Sequence, residues 1–140
     1  MAIKRTLSVV RILVVEDFEP FRRFVCTTLR AKPEWQVVAE SADGLDGIHK
    51  AKELEPDVIL RDIGLPTLNG IEAAERISTL VRDAKVIFVT QNNDPDLMSS
   101  ALSNGAKGYV IKAHAERELV PAVEAVLDGR RFLGSGVSEH

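Results

Sequence analysis

Residues 57–70 read DVILRDIGLPTLNG, and the fold turns on how this stretch is interpreted. Val58, Ile59 and Leu60 form an unbroken apolar run, which suits a strand buried on both faces. The run stops on two adjacent charges, Arg61 and Asp62, and Gly64-Leu65-Pro66 then breaks the pattern. Such a strand end is either an ordinary solvated terminus or the place where a carboxylate is put on display. The flanking segments decide between the two.

Four more short apolar runs of strand length surround it: RILVVED (11–17), WQVVAE (35–40), KVIFVT (85–90) and GYVIK (108–112). Helical patterns separate them. Residues 20–31 place Phe21, Phe24, Val25 and Leu29 at helical spacing, with Pro20 suited to a first turn. Leu45, Ile48, Ala51 and Leu54 mark a second helix that Pro56 closes. Asn69 can cap a third carrying Ile71, Ala74, Ile77 and Leu80. Asp94-Pro95 reads as cap and first residue of a fourth, ended by Asn104-Gly105. Residues 116–127 make the fifth, closed by Gly129. Pro121 falls inside that last segment, where an interior proline costs about 3 kcal/mol, so the helix is expected to begin near Arg117 or Glu118.

Unbroken apolar strands alternating with helices indicate an α/β fold with a parallel sheet covered on both faces. Right-handed crossovers narrow the topologies. The expectation is a five-stranded parallel sheet of strand order 2-1-3-4-5, a flavodoxin-like (βα)5 arrangement. Domain organisation follows: one unit over residues 1–129, with its core at about 10–129, and residues 130–140 as a C-terminal tail or the start of a linker.

Composition agrees. The 140 residues are 45% hydrophobic, sufficient for one real core, although aromatic residues make up only 5%. Val, Ile, Leu and Ala must therefore fill it. A net charge of -3 argues against a surface built to contact nucleic-acid phosphates. Cys26 is alone, and the three histidines lack metal-ligand spacing. Lys4-Arg5 precede the apolar residues 7–15, but Arg11 interrupts that run and Glu16-Asp17 end it, unlike a secretory signal. No segment reaches the roughly 18–20 apolar residues of a membrane span. A cytoplasmic location is the expectation.

The strand ends carry the chemistry. In order 2-1-3-4-5 the carboxyl ends of strands one, three, four and five converge on one crevice, bringing Glu16-Asp17, Asp62, Thr90 and Lys112 together. Taken singly, some have an ordinary reading: Glu16 and Asp17 as a solvated loop or helix-start acids, Thr90 as a strand residue. Jointly they pose a problem, because clustered carboxylates raise one another's pKa. A divalent cation resolves it. Mg2+ prefers oxygen ligands in octahedral geometry and keeps several waters, so acids from adjacent strands plus the Gly64 carbonyl would suit it. An oxygen nucleophile, a metal, a lysine and a hydroxyl are the parts that phosphoryl transfer requires. The hypothesis is that Asp62 accepts a phosphoryl group.

The residues ILVVED, PDVILRDIGLPTLNG, VIFVT and NGAKGYVIK, in this order and spacing, resemble the CheY-like receiver domains of two-component response regulators. ALSNGAKGYVIK and AVLDGRRFL are similar to the NarL/FixJ, or LuxR-type, branch. The resemblance implies that Asp62 is the phosphoacceptor, that Glu16, Asp17 and Asp62 hold Mg2+, and that Lys112 contacts the phosphate. Thr90 and Tyr109 would be the switch pair, the hydroxyl moving toward the phosphoryl group and the ring turning inward behind it. A sensor histidine kinase is the implied donor, and transcription the implied output of a longer protein.

This sequence departs from the pattern at three positions. Ala113 stands where many receivers have proline, often cis; a cis bond here would cost about 3 kcal/mol, which leaves the Lys112-Ala113 geometry open. Gly64 follows the acceptor by two residues, where the side chain is often larger, implying freer access for water and a shorter phosphoryl lifetime. Arg61 replaces an apolar residue. Alternation sends its side chain to the face opposite Asp62, and it is expected to bury its aliphatic stem while its head reaches a carboxylate or solvent.

Three other classes fit less well. An aspartate-nucleophile phosphatase would want an acid at position 64 to protonate the leaving group. A nucleotide or flavin site would want a glycine-rich first turn rather than EDFEP. A phosphorylation-independent docking scaffold would not need the acid, Thr and Lys set. Eleven residues follow Gly129, fewer than a helix-turn-helix domain requires, so the expectation is an excised or a stand-alone receiver with no direct nucleic-acid binding and no membrane contact. A homodimer would use the fourth helix, fifth strand and fifth helix of the predicted order, or the first and fifth helices.

Overall fold

The computed structural model describes residues 9–63 and 84–136. The predicted helix with Ile71, Ala74, Ile77 and Leu80 and the carbonyl of Gly64 lie outside the described residues. The described elements are β1 (Val10–Val15), α1 (Glu19–Arg30), β2 (Trp35–Ser41), α2 (Gly44–Leu54), β3 (Val58–Arg61) and β4 (Lys85–Thr90). They continue with α3 (Pro95–Ser103), β5 (Gly108–Ile111), a 3-10 turn at Lys112–His114, α4 (Ala115–Leu127) and β6 (Phe132–Leu133).

The sheet is parallel throughout, in the order β2-β1-β3-β4-β5-β6. The expected order of the first five strands is present. The strand count is corrected from five to six, because Phe132 and Leu133, in the segment read as tail or linker, pair with Gly108 and Tyr109. The reason is local: the edge of β5 offers unpaired backbone groups, and the chain turns back at Gly129, whose φ is +81°.

Alternation along each strand divides the core. Ile12, Val14, Val58, Leu60, Ile87, Val89 and Val110 face α1 and α4. Leu13, Val15, Ile59, Val86, Phe88, Tyr109 and Ile111 face α2 and α3. Burial on both sides explains why these strands read as uninterrupted apolar runs.

Helix starts follow their caps. The Asp43 side chain accepts hydrogen bonds from the Leu45 and Asp46 amides, and Asp94 accepts from Asp96 with Pro95 at the first helical position. Gly47 lets α2 press against the end of β1, since a Cβ there would lie 2.9 Å from a Val15 methyl. The expected late start of the last helix is not observed: α4 begins at Ala115 and contains Pro121 in its interior. Pro121 and Arg117 are both exposed, so the Arg117 carbonyl that loses its intrahelical donor faces water, which lowers the cost. No cis peptide occurs among the described residues, so the Lys112-Ala113 bond is trans.

Candidate functional site

Strand ends assemble the site through backbone bonds. The Glu16 amide donates to the Ser41 carbonyl at 2.8 Å, and the Asp62 amide donates to the Val15 carbonyl at 3.2 Å. These bonds place the first residues past β1 and β3 side by side. Glu16 is buried, and its Oε2 accepts from the Phe18 amide at 3.0 Å, which folds its carboxylate under the start of α1. Asp17 is exposed. One oxygen from each of Glu16, Asp17 and Asp62 falls within 4.8 Å of the others.

Lys112 leaves the end of β5 and crosses to these acids. Its Nζ lies 2.8 Å from Glu16 Oε1 and 2.9 Å from Asp62 Oδ2. The Phe21 ring supports the ammonium from below, with 4.8 Å between Nζ and the ring centroid. Thr90 is buried at the end of β4, and its Oγ1 accepts from the Asn92 amide at 3.3 Å. A cavity of about 640 Å³ opens over this edge, lined by Asp17, Phe21, Asp62, Thr90, Asn92 and Lys112 among others. Of the five polar side chains expected at the strand ends, Asp17, Asp62, Thr90 and Lys112 line this crevice, while buried Glu16 joins them from behind through Lys112.

Electrostatics reflect this packing. Burial raises the Glu16 pKa above the ordinary carboxylate value, and the Lys112 and Phe18 hydrogen bonds only partly offset it. For Lys112, burial opposes the charge, but bonds to Asp62 and Glu16 outweigh it and hold the ammonium above its usual range. Three carboxylates of hard oxygen ligands, one of them open to solvent, fit a small divalent cation.

Tyr109 is fully buried, with its ring in the α2/α3-side core and its hydroxyl donating to the Asn92 carbonyl at 2.8 Å. Burial, then Asp94 and Asp62, push the phenol up to about 12. The ring is inside in this structure, beside the loop that also bonds Thr90.

Arg61 corrects an expectation. It is 1% exposed, so its head does not reach solvent. Its Nε donates to the Asp62 carbonyl at 3.2 Å, while Nη1 and Nη2 are buried with no hydrogen-bond partner among the described residues. Burial lowers its pKa to about 10 against the attraction of Asp62. The physical reason is position: Arg61 belongs to the central strand, with sheet neighbours on both sides.

Sequence reasoning missed the support given by Phe21, which has the helical spacing of a core residue, and the acceptor role of the Asn92 carbonyl. No side-chain pattern signals a backbone acceptor.

This six-stranded parallel sheet, with acids, a lysine and a hydroxyl gathered at its carboxyl edge, defines a CheY-like receiver domain. The chain belongs to the response regulator receiver domain family, whose family model matches residues 12–124. It is 34% identical over 129 residues to the transcriptional regulatory protein LiaR of Bacillus subtilis, covering 92% of this chain and 61% of LiaR. The chain spans 61% and 56% of the lengths of LiaR and of the Brevibacillus brevis regulator DegU. A LuxR-family two-component response regulator from Aurantimonas sp. superposes with a TM-score of 0.88 at 33% identity, covering 93% of each chain. The signal receiver domain of NarL from Mycobacterium tuberculosis superposes with a TM-score of 0.83 at 29% identity, over 88% of this chain and 99% of that one. The chain is thus a receiver domain of the LuxR/NarL type, a signalling domain rather than an ordinary enzyme, and no helix among its described residues is long and apolar enough to cross a membrane.

Proposed function

We propose that this receiver accepts a phosphoryl group on Asp62 from a sensor histidine kinase and thereby changes its own surface. An Asp62 carboxylate oxygen attacks phosphorus, the bond from phosphorus to the donor imidazole nitrogen breaks, and the imidazole takes up a proton. Hydrolysis later returns inorganic phosphate and the free carboxylate. The observation that carries this reading is the Lys112 ammonium at 2.8 and 2.9 Å from Glu16 and Asp62 in an open crevice. Its positive charge is already beside the Asp62 carboxylate, where the negative charge of the transferring group would gather. Glu16, Asp17 and Asp62 would hold Mg2+, which when bound supplies charge neutralisation for the transferring group. Thr90 would donate its hydroxyl to a phosphoryl oxygen, and Tyr109 would follow it as the second member of the switch. The Gly64 carbonyl is a further candidate ligand.

Residues 1–129 are proposed as the receiver unit, and residues 130–140, which first add β6 to its sheet, as the segment that leads toward an output region in a longer protein. Control of transcription by that protein is supported by the regulators it resembles. Self-association would run through the α3–β5–α4 face or through α1 and α4, and a cytoplasmic location suits the partner kinase. Incubation with acetyl phosphate and Mg2+, followed by intact mass analysis, tests the central claim. A covalent adduct that disappears in Asp62→Asn is expected. An adduct that persists in that variant, or none in the wild type, sinks it and favours the phosphorylation-independent scaffold.

A further inference from the structure

The chain past α4 does not leave the molecule. Phe132 and Leu133 align in parallel with Gly108 and Tyr109, and the Gly134 amide then donates to the Tyr109 carbonyl at 2.7 Å. The Ser135 amide lies 3.3 and 3.2 Å from the two carboxylate oxygens of Glu118 on α4, and the Ser135 hydroxyl donates to Oε2 as well. A Cβ on Gly134 would stand 2.7 Å from the Tyr109 carbonyl oxygen and 3.2 Å from Val110 Cα. The segment can approach β5 this closely only because residue 134 is glycine. Gly136, with φ of +90°, continues the contact: a Cβ there would meet the His114 ring at 2.5 Å.

Side-chain parity makes this contact specific. Phe132 packs into the α1/α4-side core, so Leu133 projects on the opposite face, the one that holds the Tyr109 ring. In the ladder Tyr109 has Phe88 in register on its inner side and Leu133 on its outer side. A ring carried by β5 has its way out of the core across the outer edge of the sheet. That edge is where β6 lies. Leu133 remains 54% exposed, so filling the core does not explain its placement.

We propose that residues 132–136 are a strap that holds the Tyr109 ring inside, with Leu133 as the positioning residue and Gly134 as the docking point. The strap shifts an equilibrium between inward and outward ring positions. It also ties the chain that follows residue 136 to the state of that ring. The functional consequence rests on the switch role proposed for Tyr109; the placement of the ring does not.

Tyr109 is the one tyrosine in the sequence, so the full chain labelled with 3-fluorotyrosine reports on it alone by fluorine NMR. The wild type, Leu133→Ser and Gly134→Val are compared, with nitration of the ring by tetranitromethane as a second readout and hydrogen exchange at residue 134 as the measure of docking. Both variants should show a second, solvent-exposed fluorine signal and nitrate at least about fivefold faster, as expected when the inward state loses its bias. In Gly134→Val the residue 134 amide should also lose protection. The proposal is overturned if that amide is deprotected while the ring stays inaccessible, or if the amide keeps its protection in Gly134→Val. Adduct formation on Asp62 is scored separately by intact mass, so loss of the phosphoacceptor reading leaves the ring measurement untouched.

Discussion

Lys112 and Arg61 both bring a positive charge close to Asp62, one from the end of β5 and the other from the residue before it in β3. Lys112 finds two carboxylate oxygens within 2.9 Å, while Arg61 has only the Asp62 backbone carbonyl at 3.2 Å and two unpartnered nitrogens among the described residues. Their pKa values move in opposite directions, Lys112 up and Arg61 down to about 10. The contrast teaches that distance from Asp62 is a poor guide to a charge's worth. What counts is whether the strand end frees the side chain to reach a partner. Lys112 lies just past its strand and reaches the crevice. Arg61 is still inside its strand and is enclosed by it.

Removing the shared carboxylate is the most severe way to break the comparison. Asp62→Asn should abolish the acetyl phosphate adduct completely while leaving the fold intact by circular dichroism. Lys112→Met comes next. It takes the ammonium away from buried Glu16 and from Asp62, which should cost about 1–3 kcal/mol in urea unfolding. It should also slow adduct formation by roughly 100-fold, the scale of losing one preorganised electrostatic group. An unchanged rate would show that the ammonium is only structural.

Arg61→Met should go the other way. Replacing a buried charge whose two terminal nitrogens have no hydrogen-bond partner among the described residues by an apolar side chain of similar length should stabilise the protein by about 1–4 kcal/mol at neutral pH, with adduct formation retained. Strong loss of phosphorylation at intact stability would instead make Arg61 part of the site. The smallest effect is its pH dependence. Arg61 binds its proton less tightly when folded, so between about 10 and the ordinary 12.5 the unfolded chain holds more protons and stability contributed by this group rises with pH. The advantage of Arg61→Met should therefore shrink as pH climbs through that window. Lys112 has the opposite sign: its contribution is complete below the ordinary lysine pKa and fades as pH rises through its raised value. Urea midpoints from pH 8 to 11 for wild type and both variants separate the two slopes.

Much of this was legible in the residues. Apolar runs that end in Glu16, Asp62, Thr90 and Lys112 defined both the sheet and its polar edge, because a strand buried on two faces tolerates polar side chains only where it stops. Asp94-Pro95 marked a helix start that α3 adopts. Pro121 misled, since local propensity cannot report that the carbonyl it orphans faces water. Arg61 misled as well: a long side chain next to a strand end suggests escape to solvent, and the enclosure by β1 and β4 is visible only once the strands are paired.

By itself the sequence determined the alternation of strands and helices, the parallel order of the first five strands and the set of side chains at their carboxyl ends, because period, burial and crossover handedness leave few alternatives. The tertiary structure alone decided which charges would be paired and which would not. It also decided that residues 132–136 return to the edge of β5 beside Tyr109. Both depend on contacts between residues far apart along the chain, and no local pattern encodes where those meet.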